Sequence, residues 1–297
     1  MSDTTAGLER RETLRGIFSM LVCVLIFGVM DALVKLAAER QPIGQVIFFR
    51  NAFAFIPLYV FIRRAGGFSV LRTRYVRQHV VRAITGVTSM ALTFYAFSVM
   101  PLADAVAIGL SAPIFLTSFS VPMLGEKVGW RRWSAVGAGF IGILIISRPG
   151  SGVFGTIALV PLLSAALYAV AMIQIRKVAT REPAATMAFY YTVVAALLGA
   201  ASLPWQWATP TPMMLVCLIS IGLLGGMAQM ALTQAYRLAP VSLVAPFEYS
   251  ALLVAAVFGY AIWGQIPDRF VWLGAVIVTA SGLYIAHREA LRRKQAK

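Results

Sequence analysis

Four ionisable side chains stand inside long apolar stretches of this 297-residue chain: Asp31, Lys35, Arg50 and Glu248. On a membrane-spanning helix each such charge costs about 2.5–3.5 kcal/mol on insertion scales, so each needs a partner or a task. Asp31 lies nine residues before Arg40 and Arg50 ten after it. A chain that turns back at Arg40 holds both at one depth, roughly 10 Å below the surface at 1.5 Å per residue. Two readings stay open for them. One is a structural ion pair, Asp31 with Arg50 across the turn or with Lys35 one turn along its own helix. The other is an outer gate, or a carboxylate that meets substrate. Lys35 can also snorkel outward along its apolar stem. Glu248 differs: no cation falls at its depth, and the same depth count places Gln229 opposite it. Such a carboxylate can take up a coupling proton or meet a cationic substrate group; the plain alternative is a protonated acid bonded to Gln229. Glu248 is the first candidate for a site residue.

Uncharged polar residues fall in stripes. Gln229, Thr233 and Tyr236 recur at i, i+4 and i+7, and Thr85, Ser89 and Thr93 do the same on an earlier run. Such faces turn into the protein, because lipid gives polar groups no partner. For any one Ser or Thr, gluing two helices together is a better reason than binding a substrate. Tyr95, Tyr168, Phe247 and Tyr249 offer rings for stacking, though aromatic residues at helical spacing usually fill core. Pro113 and Pro246 interrupt apolar runs, each removing a backbone donor and permitting a kink suited to a gate. Gly222 and Gly226 form a GxxxG pair, explained by close helix packing and leaving a homodimer open. Asp104 reads as a helix N-cap favoured by the dipole.

Composition says what carries these residues. The chain is 60% hydrophobic and 12% charged, against roughly 45–50% apolar and 25% charged in soluble domains. Ten runs are candidates to cross a bilayer: 16–37, 43–62, 80–99, 102–124, 132–147, 154–175, 184–203, 211–235, 241–263 and 269–287; the fifth is short, but Trp130 to Trp133 can extend it into the interface. Pro42, Pro101, Pro204, Pro210, Pro240 and Pro267 mark connectors. The net charge of +15 does not point to nucleic acid, because its position orients the helices instead. With the N-terminus inside, 21 of the 26 Lys and Arg fall on the cytoplasmic side, among them the basic connector Arg63 to Arg82. Both termini are then cytoplasmic. The first run, after Arg10, Arg11 and Arg15, mimics a signal peptide but continues to about Ala38, so it is read as the first span. Cys23 and Cys217 behave as small hydrophobes, with no disulfide or metal pattern.

The chain also repeats itself. Pro101 to Arg148 and Pro240 to Arg288 match about 139 residues apart, with Ser111 on Ser250, Gly125 on Gly264 and Trp133 on Trp272. Five spans per half is an odd number, so the halves enter the membrane from opposite sides. The expected fold is an all-α integral membrane protein, ten transmembrane helices as two inverted five-helix repeats, residues 1–150 and 151–297.

The segments "FFRNAFAFIPL", "FYAFSVMPLADAVAIGLSAPIF" and "GEKVGWRRWSAVGAGFIGILIISRPG" resemble the EamA-type drug/metabolite transporter superfamily over nearly the whole chain. The second copy departs at Gln265, where the first has Glu126. The resemblance implies a bundle with a central cavity lined mainly by spans 1, 3, 4, 6, 8 and 9, working by alternating access without ATP. It does not imply one substrate: members carry amino acids, riboflavin, S-adenosylmethionine, other metabolites or drugs, some inward and some outward.

The expectation is therefore a secondary carrier of a small organic metabolite in a bacterial-type inner membrane, possessing no cofactor or metal. Its partners are a small-molecule substrate and the lipid bilayer, not nucleic acid. The binding or coupling candidates are Glu248, Asp31, Arg50, Gln229, Thr233, Tyr236, Ser89, Thr93, Tyr95, Tyr168 and Tyr249, with Pro113 and Pro246 as kinks. The neutral-to-cationic surroundings and available rings favour riboflavin or an S-adenosylmethionine-like compound, with amino-acid or drug export the alternative. A membrane enzyme is disfavoured, since His79 and His287 lie at opposite ends of the chain and no P-loop or nucleophile constellation occurs. A channel would want a repeated polar lining, whereas Glu248 aligns with Gly109 and Asp31 with Val170.

Overall fold

The computed structural model describes residues 2–125, 128–148, 156–178, 181–239 and 241–295, with side chains from 12 to 288 apart from 241–243 and 245. Glu126, Lys127, Pro240, the boundary at 150–151, Lys297 and the side chains of Arg10, Arg11 and Arg292 to Lys294 lie outside the described residues. Every regular element described is helical. A 3-10 helix spans Gly67–Leu71, and in chain order the α-helices are α1 (Ser2–Ala38), α2 (Ile43–Arg64), α3 (Val76–Val99), α4 (Leu102–Gly109), α5 (Ala112–Leu124), α6 (Trp130–Ser147), α7 (Leu159–Val178), α8 (Ala184–Gln206), α9 (Pro212–Leu238), α10 (Val241–Glu248), α11 (Ala251–Trp263) and α12 (Arg269–Gln295).

Among the described residues nine segments are long and apolar enough to cross a membrane, α4 and α5 together forming one of them. The expected fifth span, α6, is helical over 18 residues but is not among the nine. Its first turn, Trp130 to Trp133, carries two arginines that dilute its hydropathy. Pro204, read as a connector residue, lies in the last turn of α8.

The fourth and ninth spans are each broken into an eight-residue and a thirteen-residue helix, at Leu110–Ser111 and at Tyr249–Ser250. Both thirteen-residue pieces end on a glycine with positive φ, Gly125 at 68° and Gly264 at 65°. That left-handed cap is cheap for glycine and strained for residues with a Cβ.

Packing partners follow a pattern. If the first five spans are exchanged with the last five, α1–α9 becomes α7–α3, α2–α9 becomes α8–α3, and α1–α11 becomes α7–α5; all six pairs pack. The pairs α2–α8 and α6–α12 map onto themselves. Where α6 crosses α12 the backbones nearly touch: a Cβ on Gly142 would stand 2.9 Å from the Gly274 oxygen. Gly222 and Gly226 receive α2, facing the Phe49 oxygen and Pro57, so the GxxxG pair serves packing within the chain.

Several pairs break the pattern, two of them most strongly. α1 packs on α3 and α4 on α11, but among the described residues neither of the exchanged pairs, α7–α9 and α5–α10, is packed comparably. The bundle is thus drawn together at the end where α1 finishes and parted at the end where α1 begins.

Candidate functional site

The parted end is where Glu248 stands. It is the last residue of α10, just before the break. Pro246, inside α10, cannot donate a backbone hydrogen bond, and the next bonds tighten to i→i+3, Tyr249 N–H to the Pro246 oxygen (3.3 Å) and Ser250 N–H to the Phe247 oxygen (3.1 Å). Pro113 acts differently, sitting in the first turn of α5, where a missing N–H costs nothing. The Tyr236 hydroxyl of α9 donates to Glu248 Oε1, and both residues keep some exposure. Cys23 of α1, buried, lies within electrostatic reach of the carboxylate.

Gln229 does not meet Glu248. Its side chain is exposed and its carbonyl accepts the Thr233 hydroxyl at 2.8 Å. Depth counting failed because it assumes straight, parallel helices, whereas a broken α10 and a long tyrosine on α9 shift the meeting point by two turns.

The facing wall is α3, α7 and α8. Tyr168 of α7 is 45% exposed and lies within electrostatic reach of Glu248, Cys23, Tyr191 and Arg82. The Arg82 guanidinium stacks over the Tyr191 ring, 5.1 Å from its centroid, and donates to the Met187 oxygen. Gly86 gives Tyr191 room, since a Cβ there would stand 2.8 Å from the ring. Arg82 had been grouped with the connector cations. The missed signal is spacing: Arg82, Thr85, Ser89 and Thr93 fall at i, i+3, i+7 and i+11 on one face of α3.

Further along that face the hydroxyls are engaged with each other. Ser89 bonds the Ser164 oxygen (2.9 Å) and hydroxyl (3.0 Å), and Thr93 bonds the same hydroxyl at 2.7 Å. They fasten α3 to α7. Tyr95 stands apart, exposed on the side of α3 that carries Ile84 and Val99. The Tyr249 ring lies against Gly282 of α12, where an added Cβ would be 2.8 Å from its Cζ; the residue stays within electrostatic reach of Glu248.

At the closed end, Lys35 does not snorkel. It is buried, donates to the Phe97 (2.6 Å) and Met100 (3.0 Å) oxygens at the end of α3, pairs with Glu39 at 3.6 Å, and lies 5.3 Å from the Trp263 ring. It therefore ties α1 to α3 and α11. Asp31 and Arg50 attract one another but form no ion pair within 4.0 Å. Arg50 donates to Asn51 Oδ1 at 3.1 Å, and its Nε is buried with no hydrogen-bond partner among the described residues. Asp104 occupies the first turn of α4 but does not cap it; Gln265 Oε1 takes the Leu102 N–H at 3.3 Å.

Comparison with known proteins agrees with this architecture. A riboflavin transporter of Rhizobium johnstonii is 28% identical over 298 residues, covering 99% of this chain and 98% of that one. An S-adenosylmethionine uptake transporter of Rickettsia prowazekii is 28% identical over 276 residues (93% and 94%). A pseudopaline exporter of Pseudomonas aeruginosa is 30% identical over 271 residues (90% and 94%). A solved structure titled only as the crystal structure of a protein superposes with a TM-score of 0.64 at 17% identity, covering 94% of this chain and 98% of its own, which shows a shared fold. The family model for EamA-like transporters matches twice, at residues 14–148 and 155–286. The chain is an integral membrane protein and belongs to the EamA-like transporter family.

Proposed function

We propose that this transporter is a secondary carrier working by alternating access between two inverted repeats, residues 1–150 and 151–297, with α6 as its tenth span. The observation that carries the reading is the broken exchange of partners: α1–α3 and α4–α11 are packed, while among the described residues α7–α9 and α5–α10 are not packed comparably. Two inverted repeats that trade conformations would close one end while opening the other. The double family match supports the two-repeat division. The excess of Lys and Arg on one side supports cytoplasmic termini in a bacterial inner membrane, with the open end facing the cytoplasm.

Glu248, held by Tyr236 at the open end, is the coupling or cation-binding carboxylate; Tyr168 lines the same opening, and Asp31 and Arg50 lie deeper. Two relatives named for riboflavin and S-adenosylmethionine make these the first substrates to try. The exporter among the relatives keeps outward transport as a second reading.

The test is uptake of radiolabelled S-adenosylmethionine and riboflavin by proteoliposomes under an imposed pH gradient. Saturable, gradient-driven flux reduced at least tenfold by Glu248→Gln is expected. Flux that Glu248→Gln leaves unchanged would remove Glu248 from the mechanism, and no flux of either compound in either direction would defeat the substrate assignment.

A further inference from the structure

Resting on the carrier reading, one arginine extends it. The guanidinium of Arg82 has five N–H donors, and the described residues supply it one acceptor, the Met187 oxygen, and one ring, Tyr191. No described carboxylate lies within 4.0 Å of it. A cation serving only to anchor a helix at a membrane surface would extend toward headgroups. Arg82 instead meets α8, at the Met187 oxygen and the Tyr191 ring, with Tyr168 within electrostatic reach. Stacking on Tyr191 and the bond to Met187 hold the planar group in one orientation, as a two-point grip on a carboxylate or phosphate requires. Glu248 offers the opposite charge, with Oε1 engaged by Tyr236 and Oε2 given no hydrogen-bond partner among the described residues. Tyr168 stands within electrostatic reach of both.

We propose that Arg82 is the anion-recognising residue of the substrate site, and that the cargo is an ampholyte with its acidic group at Arg82 and its basic group at Glu248. Tyr168 and Tyr191 then lie beside the body of the molecule, which suits a ring-bearing compound. Opposed charges in one site also exclude a molecule carrying only one of them, since the unanswered charge would lose water and gain nothing.

The experiment follows thermal unfolding of the purified full-length protein in detergent against two probe sets. The first is tryptophan, tryptamine (no carboxylate) and indole-3-propionate (no amine); the second is S-adenosylmethionine and its decarboxylated form. The wild type should be stabilised by a doubly charged probe at concentrations at least tenfold lower than by its charge-deleted partners. Arg82→Gln should lose the preference over the decarboxylated partner and keep, in the indole set, the preference over the deaminated one. Glu248→Gln should do the reverse. Arg82→Lys, which keeps the charge that orients the chain, should retain an intermediate preference and guards against a folding defect. Unaltered discrimination in Arg82→Gln, or no doubly charged probe outbinding its partners, overturns the proposal. Proteoliposome flux separates the two failures: flux with unaltered carboxylate preference in Arg82→Gln sinks this inference alone, whereas probe movement that neither saturates nor responds to an imposed gradient sinks the carrier reading.

Discussion

Lys35 is the most exposed point of the alternating-access account, because the structure ties it to one end in one state. Its ammonium makes two hydrogen bonds to carbonyls that no helical partner can satisfy, at 2.6 and 3.0 Å. Hydrogen bonds to charged groups contribute about 1.5–3 kcal/mol each, and the desolvation of a buried ammonium offsets part of that, leaving about 2–3 kcal/mol for the α1–α3 closure. Lys35→Met keeps the apolar stem and removes the grip. If the closure exists only when that end is shut, the ratio of shut to open states falls about 30- to 150-fold at 1.4 kcal/mol per tenfold. The assay uses a background with Cys23→Ser and Cys217→Ser and a reporter, Val106→Cys, in the partly buried stretch of α4 behind the closed end. Labelling by a membrane-impermeant maleimide from that side should rise at least tenfold in Lys35→Met. An unchanged labelling rate accompanied by a lower unfolding midpoint would refute the reasoning, since Lys35 would then be a static helix cap.

Three further outcomes are expected. Gly142→Ala places a methyl group 2.9 Å from the Gly274 oxygen and 3.0 Å from Val278, overpacking worth about 1–3 kcal/mol, so the unfolding midpoint in detergent should drop; an unchanged midpoint would mean the α6–α12 crossing is looser than described. Tyr236→Phe removes the hydroxyl that holds Glu248, a loss of about 1.5–3 kcal/mol, and should lower kcat/KM for transport roughly 10- to 100-fold, with flux kinetics at wild-type values counting against the pairing. Ser164→Ala removes bonds to Ser89 and Thr93 at about 0.6 kcal/mol each; it should reduce stability while leaving KM within about twofold, and a tenfold rise in KM would return those hydroxyls to the substrate site.

What could be read from sequence divides along physical lines. Spans were legible because lipid demands unbroken apolar runs, and the short fifth span, α6, is the one whose first turn carries Arg131 and Arg132. Pro113 and Pro246 located the breaks to within about three residues, although Pro246 weakens the end of α10 while Pro113 merely starts α5. Lys35 was misread because its partners are backbone oxygens, which carry no residue identity for a sequence pattern to find. Gln229 was preferred to Tyr236 because counting turns ignores tilt and side-chain reach. Arg82 was lost in the basic run from Arg63, where charge summed over a connector hides one residue that points inward. Ser89 and Thr93 share a face, as their spacing required, but only coordinates reveal that Ser164 answers both.

The central claim is that the two ends open and close reciprocally. Spin labels at Arg40 and Ser98 report the closed end, and labels at Lys177 and Arg237 the parted one. Distance distributions by double electron–electron resonance, in the wild type and in Lys35→Met reconstituted in lipid, measure both. The account predicts two populations at each end, with Lys35→Met lengthening the first distance as it shortens the second. A single distance at each end, the same in both proteins, would contradict it.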